Sequence, residues 1–363
     1  MAAVAGDGVG ISPRTAEVTI ARWMKSISDL MVRKLPFLHE LERRKKIKYG
    51  VGSDQIRWPV RTKDPSISAH VDGGAKQFSR LNDVDNAYLR MRGYESTDLV
   101  TLKEKLVNRG PAAMVKLFDD RKDWLRRGLK RSISAEWFKD GNATGNEHRF
   151  HGIESFCSVT GQTATDALQT TSNDTYAALT TAAGDATVDP DSVKTWTPVV
   201  VNCNRTVSSS TRTWTDYADE YIRKGVIEAS FGADQEDQLD MILLTKTAYE
   251  DLLNIADDKE HLHFTRGKGV SMAKFGFTQF VEWDGVPIGW DAGIPATDGA
   301  SDTVYGYGFN MDYLELCLLN LKALWECKVT WNSSRAADEI YFYCLGNMRF
   351  ESPRFFTKFA AIS

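Results

Sequence analysis

The sequence predicts an α+β fold, and three patterns carry that reading. Residues 111–139 place Met114, Val115, Phe118, Leu125, Leu129, Ile133 and Trp137 on one helical stripe. Residues 53–61 and 88–94 alternate apolar and polar side chains with the period of two of a half-buried strand. In residues 319–331 every odd position is apolar or small (Leu319, Leu321, Ala323, Trp325, Cys327, Val329, Trp331), which predicts one long strand.

Length and composition bound the rest. The chain has 363 residues, enough for two to three domains at roughly 150 residues each. A net charge of −4 argues against a dedicated nucleic-acid binder, which would show a basic excess across a domain. Ten Trp, seventeen Phe and 42% hydrophobic content are too rich for a disordered chain. No uninterrupted apolar run reaches the length of a membrane helix. The greasiest stretch, residues 314–331, is broken by Glu315, Asn320, Lys322, Glu326 and Lys328. The first residues, MAAVAGDGVGISPR, show no charged segment followed by an apolar one, so no signal peptide is expected. Five scattered cysteines without a C-x-x-C pair fit buried thiols in a reducing compartment. The sequons at Asn142, Asn173, Asn204 and Asn332 are then chance matches, and folding in a cytoplasm is expected.

Taken in order, the first ten residues are expected to be mobile. Residues 15–41 have a helical spacing through Val18, Trp23, Ile27, Leu30 and Met31, with Pro36 expected to stop the helix. A basic run follows: between Arg33 and Lys63 stand ten bases against three acids, a solvated face or a contact with a polyanion or acidic neighbour. In the first alternating segment Ile56, Trp58 and Val60 oppose Gln55, Arg57 and Arg61; in the second, Leu89 and Met91 oppose Arg90 and Arg92. About 26 polar residues separate them, too many for a structureless loop inside a compact domain. A two-stranded arm leaving the body fits better. Such a hairpin is marginal alone, so it predicts a neighbouring subunit to lie on.

Ser96 and Thr97 are expected to cap a helix over residues 99–108, ended by Gly110-Pro111. Pro111 suits the first turn of the next helix, residues 111–139, roughly 43 Å long and stopped at Asp140-Gly141-Asn142. Its single narrow stripe suits a sheet laid along it. Asp119, Asp120 and Asp123 fall among Arg121, Lys122, Arg126 and Arg127, a pattern of solvated ion pairs. Residues 155–215, rich in Thr, Ser, Ala and Asp, predict loops and short strands. Helices over 215–231 and 247–255 flank a buried strand at 241–244, and residues 280–290, 304–311 and 340–359 read as extended. Thirteen acids against four bases between Asp216 and Glu260 make this half acidic, so unlike regions of neighbouring copies could meet.

Chemistry is hard to find. No phosphate loop, zinc-protease or nucleophile-elbow motif occurs, and Gly6, Gly8 and Gly10 follow no strand. His148 and His151, near Glu147 and among Gly141, Gly145 and Gly152, read as an exposed loop rather than metal ligands. His261 and His263 beside Asp257, Asp258 and Glu260 could hold a divalent metal, yet a charged loop looks the same. Cys157 reads as a small buried thiol, and Trp124, Trp137 and Trp325 as core. No catalytic, cofactor-binding or metal residue is expected.

The order of parts resembles the major capsid proteins of tailed bacteriophages, the Hong Kong-ninety-seven fold. Residues 15–41 look like that family's arm, 53–94 like its extended loop, and 111–139 with Asp140-Gly141 like its spine helix. The stretch Asp240-Met241-Ile242-Leu243-Leu244 with Thr247-Ala248-Tyr249 is similar to its axial-domain strand and helix. FVEWDGVPIGWDAGI, residues 280–294, resembles its apolar strand with Gly-Val-Pro and Asp. Residues 341–359, with Asn347 and Arg349, look like its closing strand. The resemblance implies an N-terminal arm at 1–45, an extended loop at 46–95 and a peripheral domain with the spine helix at 96–155. An axial domain at 156–330 and a return strand at 331–363 complete it.

It further implies self-association into pentamers and hexamers of an icosahedral virion shell around double-stranded DNA, held without sequence specificity. Synthesis would be in the host cytoplasm, with no membrane and no cofactor. A portal and a separate scaffolding protein, or none, are implied because only about 40 residues precede the loop, and there is room for a decoration protein. On this reading Arg57, Arg61 and Arg92 meet polar or acidic groups of a neighbour, Trp58 and Met91 anchor the contact, and Arg126 and Arg127 belong to the subunit interface. An encapsulin-like compartment is the alternative within the architecture. A tail or connector protein, or a metal-dependent enzyme using His261 and His263, are the alternatives outside it.

Overall fold

Pro36 stands at the first position of a helix rather than ending one. A proline there lacks only an N–H that has no intrahelical partner, and α1 (Pro36–Arg43) buries Phe37, Leu38 and Leu41. The computed structural model describes residues 36–61, 84–107, 111–157, 175–180, 196, 198–207, 210–230, 238–259, 281–283, 285–298, 302–321, 324 and 326–362. Expectations for residues 1–35, for 62–83, and for His261 and His263 lie outside the described residues. Contacts divide the chain into two units, one of residues 1–34, 94–133 and 322–344, the other of 35–93, 134–321 and 345–363.

After β1 (Ile47–Lys48), β2 (Gln55–Arg61) pairs antiparallel with β3 (Val84–Arg90), from Gln55↔Arg90 to Arg61↔Val84. The returning strand thus starts earlier than the alternation at 88–94 suggested. β4 (Arg92–Thr101) then runs through Ser96 and Thr97, which were expected to cap a helix. The cap is Thr101: its Oγ1 accepts the Glu104 N–H at 3.3 Å, and Glu104 Oε2 accepts the Thr101 N–H at 3.1 Å. This reciprocal pair satisfies two orphan donors and opens α2 (Leu102–Val107).

α3 (Pro111–Glu136) is the long helix, three residues shorter than expected. Leu117, Leu125, Leu129 and Ile133 are buried along one row of four-residue steps. Arg121 occupies the missing step. It is 8% exposed, and its guanidinium meets Asp98 Oδ2 at 3.0 Å, the Leu99 carbonyl at 2.7 Å and Glu104 Oε1 at 2.9 Å. It is therefore not a solvated partner of Asp119, Asp120 or Asp123. Trp124 is 51% exposed rather than core, because it lies about 100° around the helix from Leu125.

In the same unit β15 (Glu326–Asn332) pairs antiparallel with residues 337–343 of β16 (Ala337–Phe350), and β4 also pairs with β16. Of the single strand expected over 319–331 the structure keeps β15, and the described residues 319–321 and 324 lie outside any strand. β14 (Leu314–Leu318) ends where Asn320 turns the chain: its Oδ1 accepts the Leu345 N–H at 3.0 Å, and its carbonyl accepts the Gly50 N–H at 2.9 Å. The period of two ran across a turn. On β15 the apolar row is open, Val329 and Trp331 being 42% and 52% exposed. Cys327 is exposed as well, against expectation, while the other four cysteines are buried.

The larger unit contains the small hairpins β5 (Thr175–Tyr176) with β6 (Leu179–Thr180) and β8 (Arg205–Val207) with β9 (Ser210–Arg212). Its main sheet is ordered β11-β12-β10-β13-β17-β7, with β7 (Val199–Asn202), β10 (Met241–Leu244), β11 (Val281–Trp283), β12 (Val286–Trp290), β13 (Thr303–Phe309) and β17 (Phe356–Ala361). Two helices, α4 (Trp214–Ala229) and α5 (Lys246–Lys259), pack with it through Trp214, Tyr221, Ile222, Leu252, Ile242 and Phe359. Gly225 lets α4 cross β17, since a Cβ there would stand 2.6 Å from the Phe359 ring. A second core is aromatic, with Phe37 against Trp137, Phe138 and Phe309 and Tyr307 stacked on Phe138. β14 pairs with residues 346–350 of β16, and β1 lies parallel to β14.

Within this unit Lys358 is wholly buried between Glu154 Oε2 at 2.8 Å and Asp298 Oδ2 at 3.0 Å, and Tyr307 donates to Glu154 Oε1 at 2.5 Å. Burial works against the lysine's charge, but the two carboxylates outweigh it and hold its pKa above the ordinary value. Burial pushes the Glu154 carboxyl up, and its bonds to Lys358 and Tyr307 offset that only in part. Lys358→Met would strand two carboxylates in the interior, and destabilisation of about 3–5 kcal/mol is expected in denaturant unfolding at neutral pH. A change below about 1 kcal/mol, the range of a surface pair, would show that the network does not hold β17.

Candidate functional site

The β2–β3 hairpin is bound to its own unit by one face. Ile56 faces Leu89 and Trp58 faces Ala87 across the ladder, and all four are buried. Trp58 Nε1 donates to the Glu351 carbonyl at 3.1 Å, and the Arg349 guanidinium lies 5.7 Å from the indole ring centre. On the outward face Val84 and Tyr88 are 45% and 41% exposed. Arg57 is exposed too, its guanidinium on Gln55 Oε1 at 2.8 and 3.2 Å. Arg61 closes the strand opposite Val84. The Tyr88 N–H donates to the Ala177 carbonyl at 3.0 Å, tying β3 to the β5–β6 turn.

Where the hairpin returns, Arg92 organises the loop that follows α3. Its Nη1 donates to the carbonyls of Gly141 (2.6 Å), Arg149 (2.7 Å) and Asn146 (3.3 Å). Met91, half-buried, donates its N–H to the Asp54 carbonyl at 2.9 Å. Trp58 and Arg92, expected to reach a neighbour, are thus engaged within their own chain. Arg126 and Arg127 are exposed on α3 and belong to the other unit.

Asn347 holds these pieces together. Its Oδ1 accepts the N–H of His151 at 3.0 Å and of Met348 at 2.8 Å. Its Nδ2 donates to the Arg90 carbonyl at 2.8 Å and meets His151 Nδ1 at 2.8 Å. All four capacities of the amide are used, and the two N–H groups on Oδ1 decide which way it points. Nδ2 must then donate to Nδ1, so the neutral imidazole carries its proton on Nε2. His151 is 5% exposed, not on an open loop as its glycine neighbours suggested. Burial first, and the Arg92 charge second, hold its pKa down to about 4.

Tyr88 to Gly93, with Asn142, Glu147, His148, His151 and the β5–β6 turn, wall an open cleft of about 750 Å³. His151 offers it no free Nδ1 lone pair, which removes the paired-histidine metal reading there. Among the described residues no group of three or more His, Cys, Asp and Glu is placed to hold a metal. No described helix is long and apolar enough to cross a membrane. Asn347, Glu351 and the role of His151 were missed in the sequence as contacts of the hairpin. The available signal was Asn347 itself, a polar residue between Cys344, Met348 and Phe350 that burial obliges to be satisfied.

Two outcomes follow from this arrangement. Asn347→Ala leaves the Arg90 carbonyl and the His151 N–H without partners, and at least about 2 kcal/mol of stability should be lost in urea unfolding. The unfolded imidazole takes up a proton below pH about 6.5, while the folded one resists it to about 4. His151 therefore contributes stability above pH 6.5 that is lost as pH falls toward 4, by about 3 kcal/mol in all. A His151→Gln variant should lack that component; an unchanged pH profile would contradict the assignment.

No family model and no curated protein matches the sequence. Solved structures do. The chain is similar to the capsid of a native GTA particle, with a TM-score of 0.59 and 9% identity over 93% of this chain and 94% of that one. It is similar to the capsid of the cyanophage P-SCSP1u, with a TM-score of 0.54 and 12% identity over 94% and 92%. The holo-SrpI encapsulin complex from Synechococcus elongatus PCC 7942 gives a TM-score of 0.52 and 9% identity over 95% of both chains. At these identities the likeness speaks of fold: the chain has the α+β fold of tailed-phage major capsid proteins.

Proposed function

We propose that this chain is the major capsid protein of a tailed phage, a structural protein that assembles with copies of itself into the pentamers and hexamers of an icosahedral head. The observation that supports this reading is the likeness to the native GTA capsid over 93% of the chain. The hairpin suits it. One face is bound within its own unit through Trp58, while Val84, Tyr88 and Arg57 face outward, a surface for a neighbouring copy. In this role Arg57 and Arg61 present charge to the neighbour, Met91 stands at the foot, and Trp58 and Arg92 brace the hairpin from behind. The head would enclose double-stranded DNA without reading its sequence. A portal and a separate scaffolding protein would complete assembly, and a decoration protein would be a further partner. Its place would be the virion, after synthesis in the host cytoplasm.

Electron microscopy of the purified protein, expressed alone and with its neighbouring open reading frames, is the test. Closed shells, or stable pentamers and hexamers, are expected. Monomers or dimers under every condition would defeat the reading. Deleting residues 62–83, between β2 and β3, should leave a folded chain that no longer closes shells; intact shells from that variant would remove the hairpin from the mechanism. Shells that always carry a protein cargo and never protect DNA from nuclease would move the assignment to an encapsulin-like compartment.

A further inference from the structure

Lys358 lies in β17 with a ladder on each side, opposite Tyr307 of β13 and Val200 of β7. Its ammonium is wholly buried, and two carboxylates touch it, Glu154 at 2.8 Å and Asp298 at 3.0 Å. The three groups come from separate parts of one unit. Glu154 belongs to the short turn Ile153–Ser155, and Asp298 stands where the chain folds back between the bridged residues Thr297 and Thr303. Each carboxylate is held in place. Tyr307 donates to Glu154 Oε1 at 2.5 Å, and the Asp302 N–H donates to Asp298 Oδ1 at 3.1 Å.

Ion pairing alone explains this cluster poorly. One positive and two negative charges leave a charge over, and ions are costly to bury even when paired. An amide made from the same side chains carries no charge, and a neutral polar group costs far less to bury than an ion. Asp298 is also placed for that chemistry. Lys358 touches Oδ2, while a backbone N–H holds Oδ1, where negative charge develops when the carboxyl carbon is attacked.

We propose that Lys358 and Asp298 condense into an amide bond within the chain, with Glu154 as proton carrier. The ammonium passes one proton to Asp298 Oδ2 across their contact, and the freed nitrogen lone pair attacks Cγ. Glu154 takes a second proton from the nitrogen and delivers it to Oδ2. The Cγ–Oδ2 bond breaks, Oδ2 leaves as water, and the Nζ–Cγ bond remains with the third proton on nitrogen. Glu154 ends as it began, and no co-reactant is consumed. The ammonium is the resting form, since the two carboxylates hold the lysine's pKa up. The reaction occurs once per molecule, however, so slow proton transfer suffices. Burial pushes the Glu154 carboxyl up, which makes it a stronger base for the second transfer. The bond ties the loop after β12 to the last strand, and it does not depend on the shell reading.

Mass spectrometry of the purified full-length chain, denatured, is the test. Wild type should weigh less than its sequence by one water molecule. Trypsin should release residues 275–322 and 355–363 as one branched peptide, uncut after Lys358. An unshifted mass would overturn the proposal. So would a lost water found in a linear peptide, because Asp298 precedes Gly299 and such a pair can lose water as a succinimide. Glu154→Gln keeps the size of the side chain but cannot take the proton, and it should show the unshifted mass with residues 355–358 released as a separate peptide. A branched peptide at wild-type yield from that variant would overturn the part given to Glu154. The wild-type peptide decides whether the bond exists even if Glu154→Gln does not fold.

Discussion

A single buried amide sets the geometry on which the hairpin depends. Asn347 sits in β16, yet its four hydrogen bonds reach the end of β3 and the loop after α3. These segments are far apart in sequence. An amide buried with any bond unmade would cost free energy comparable to a lost hydrogen bond, so the arrangement is closely specified. The consequences spread outward. His151 is held neutral with a defined tautomer, and Arg92 is placed to gather three carbonyls of the loop.

The hairpin shows how a marginal element is made usable. Two strands alone in water are barely stable. Here the buried face, Ile56, Trp58, Ala87 and Leu89, supplies the apolar contact, and the Trp58 N–H finds the Glu351 carbonyl. That fixes one face and leaves Val84, Tyr88 and Arg57 of the other exposed. In the proposed shell, an arm rigid at the root would arrive at a neighbouring copy with part of its ordering entropy already lost, which favours association.

Charge is handled in two different ways. Lys358, Glu154 and Asp298 are neutralised in the interior, where unpaired ions would not be tolerated. Arg121 is treated likewise by Asp98 and Glu104. Arg126 and Arg127, on the same helix, are exposed instead, where solvent and salt screen their charge. The same residue types therefore mean different things a few positions apart, and only burial separates them.

Much of the architecture was legible in one dimension. The stripe of α3, the helices flanking the buried strand at 241–244 and the alternation at Ile56, Trp58 and Val60 are local periodicities, and local sterics read them without help from distant residues. What misled was also local. The alternation at 319–331 continued across a turn that Asn320 makes by bonding to Gly50 and Leu345, partners invisible at that range. The helix expected from Leu99 yielded to a strand because β16 offered β4 a ladder. By itself the sequence determined the long helix, the helices around the buried strand at 241–244 and the buried face of β2, because those follow from side chains a few residues apart. The tertiary structure alone decided which polar groups would be buried and paired, Arg121, His151, Asn347 and Lys358 among them. Their energies depend on partners that only folding brings within 3 Å.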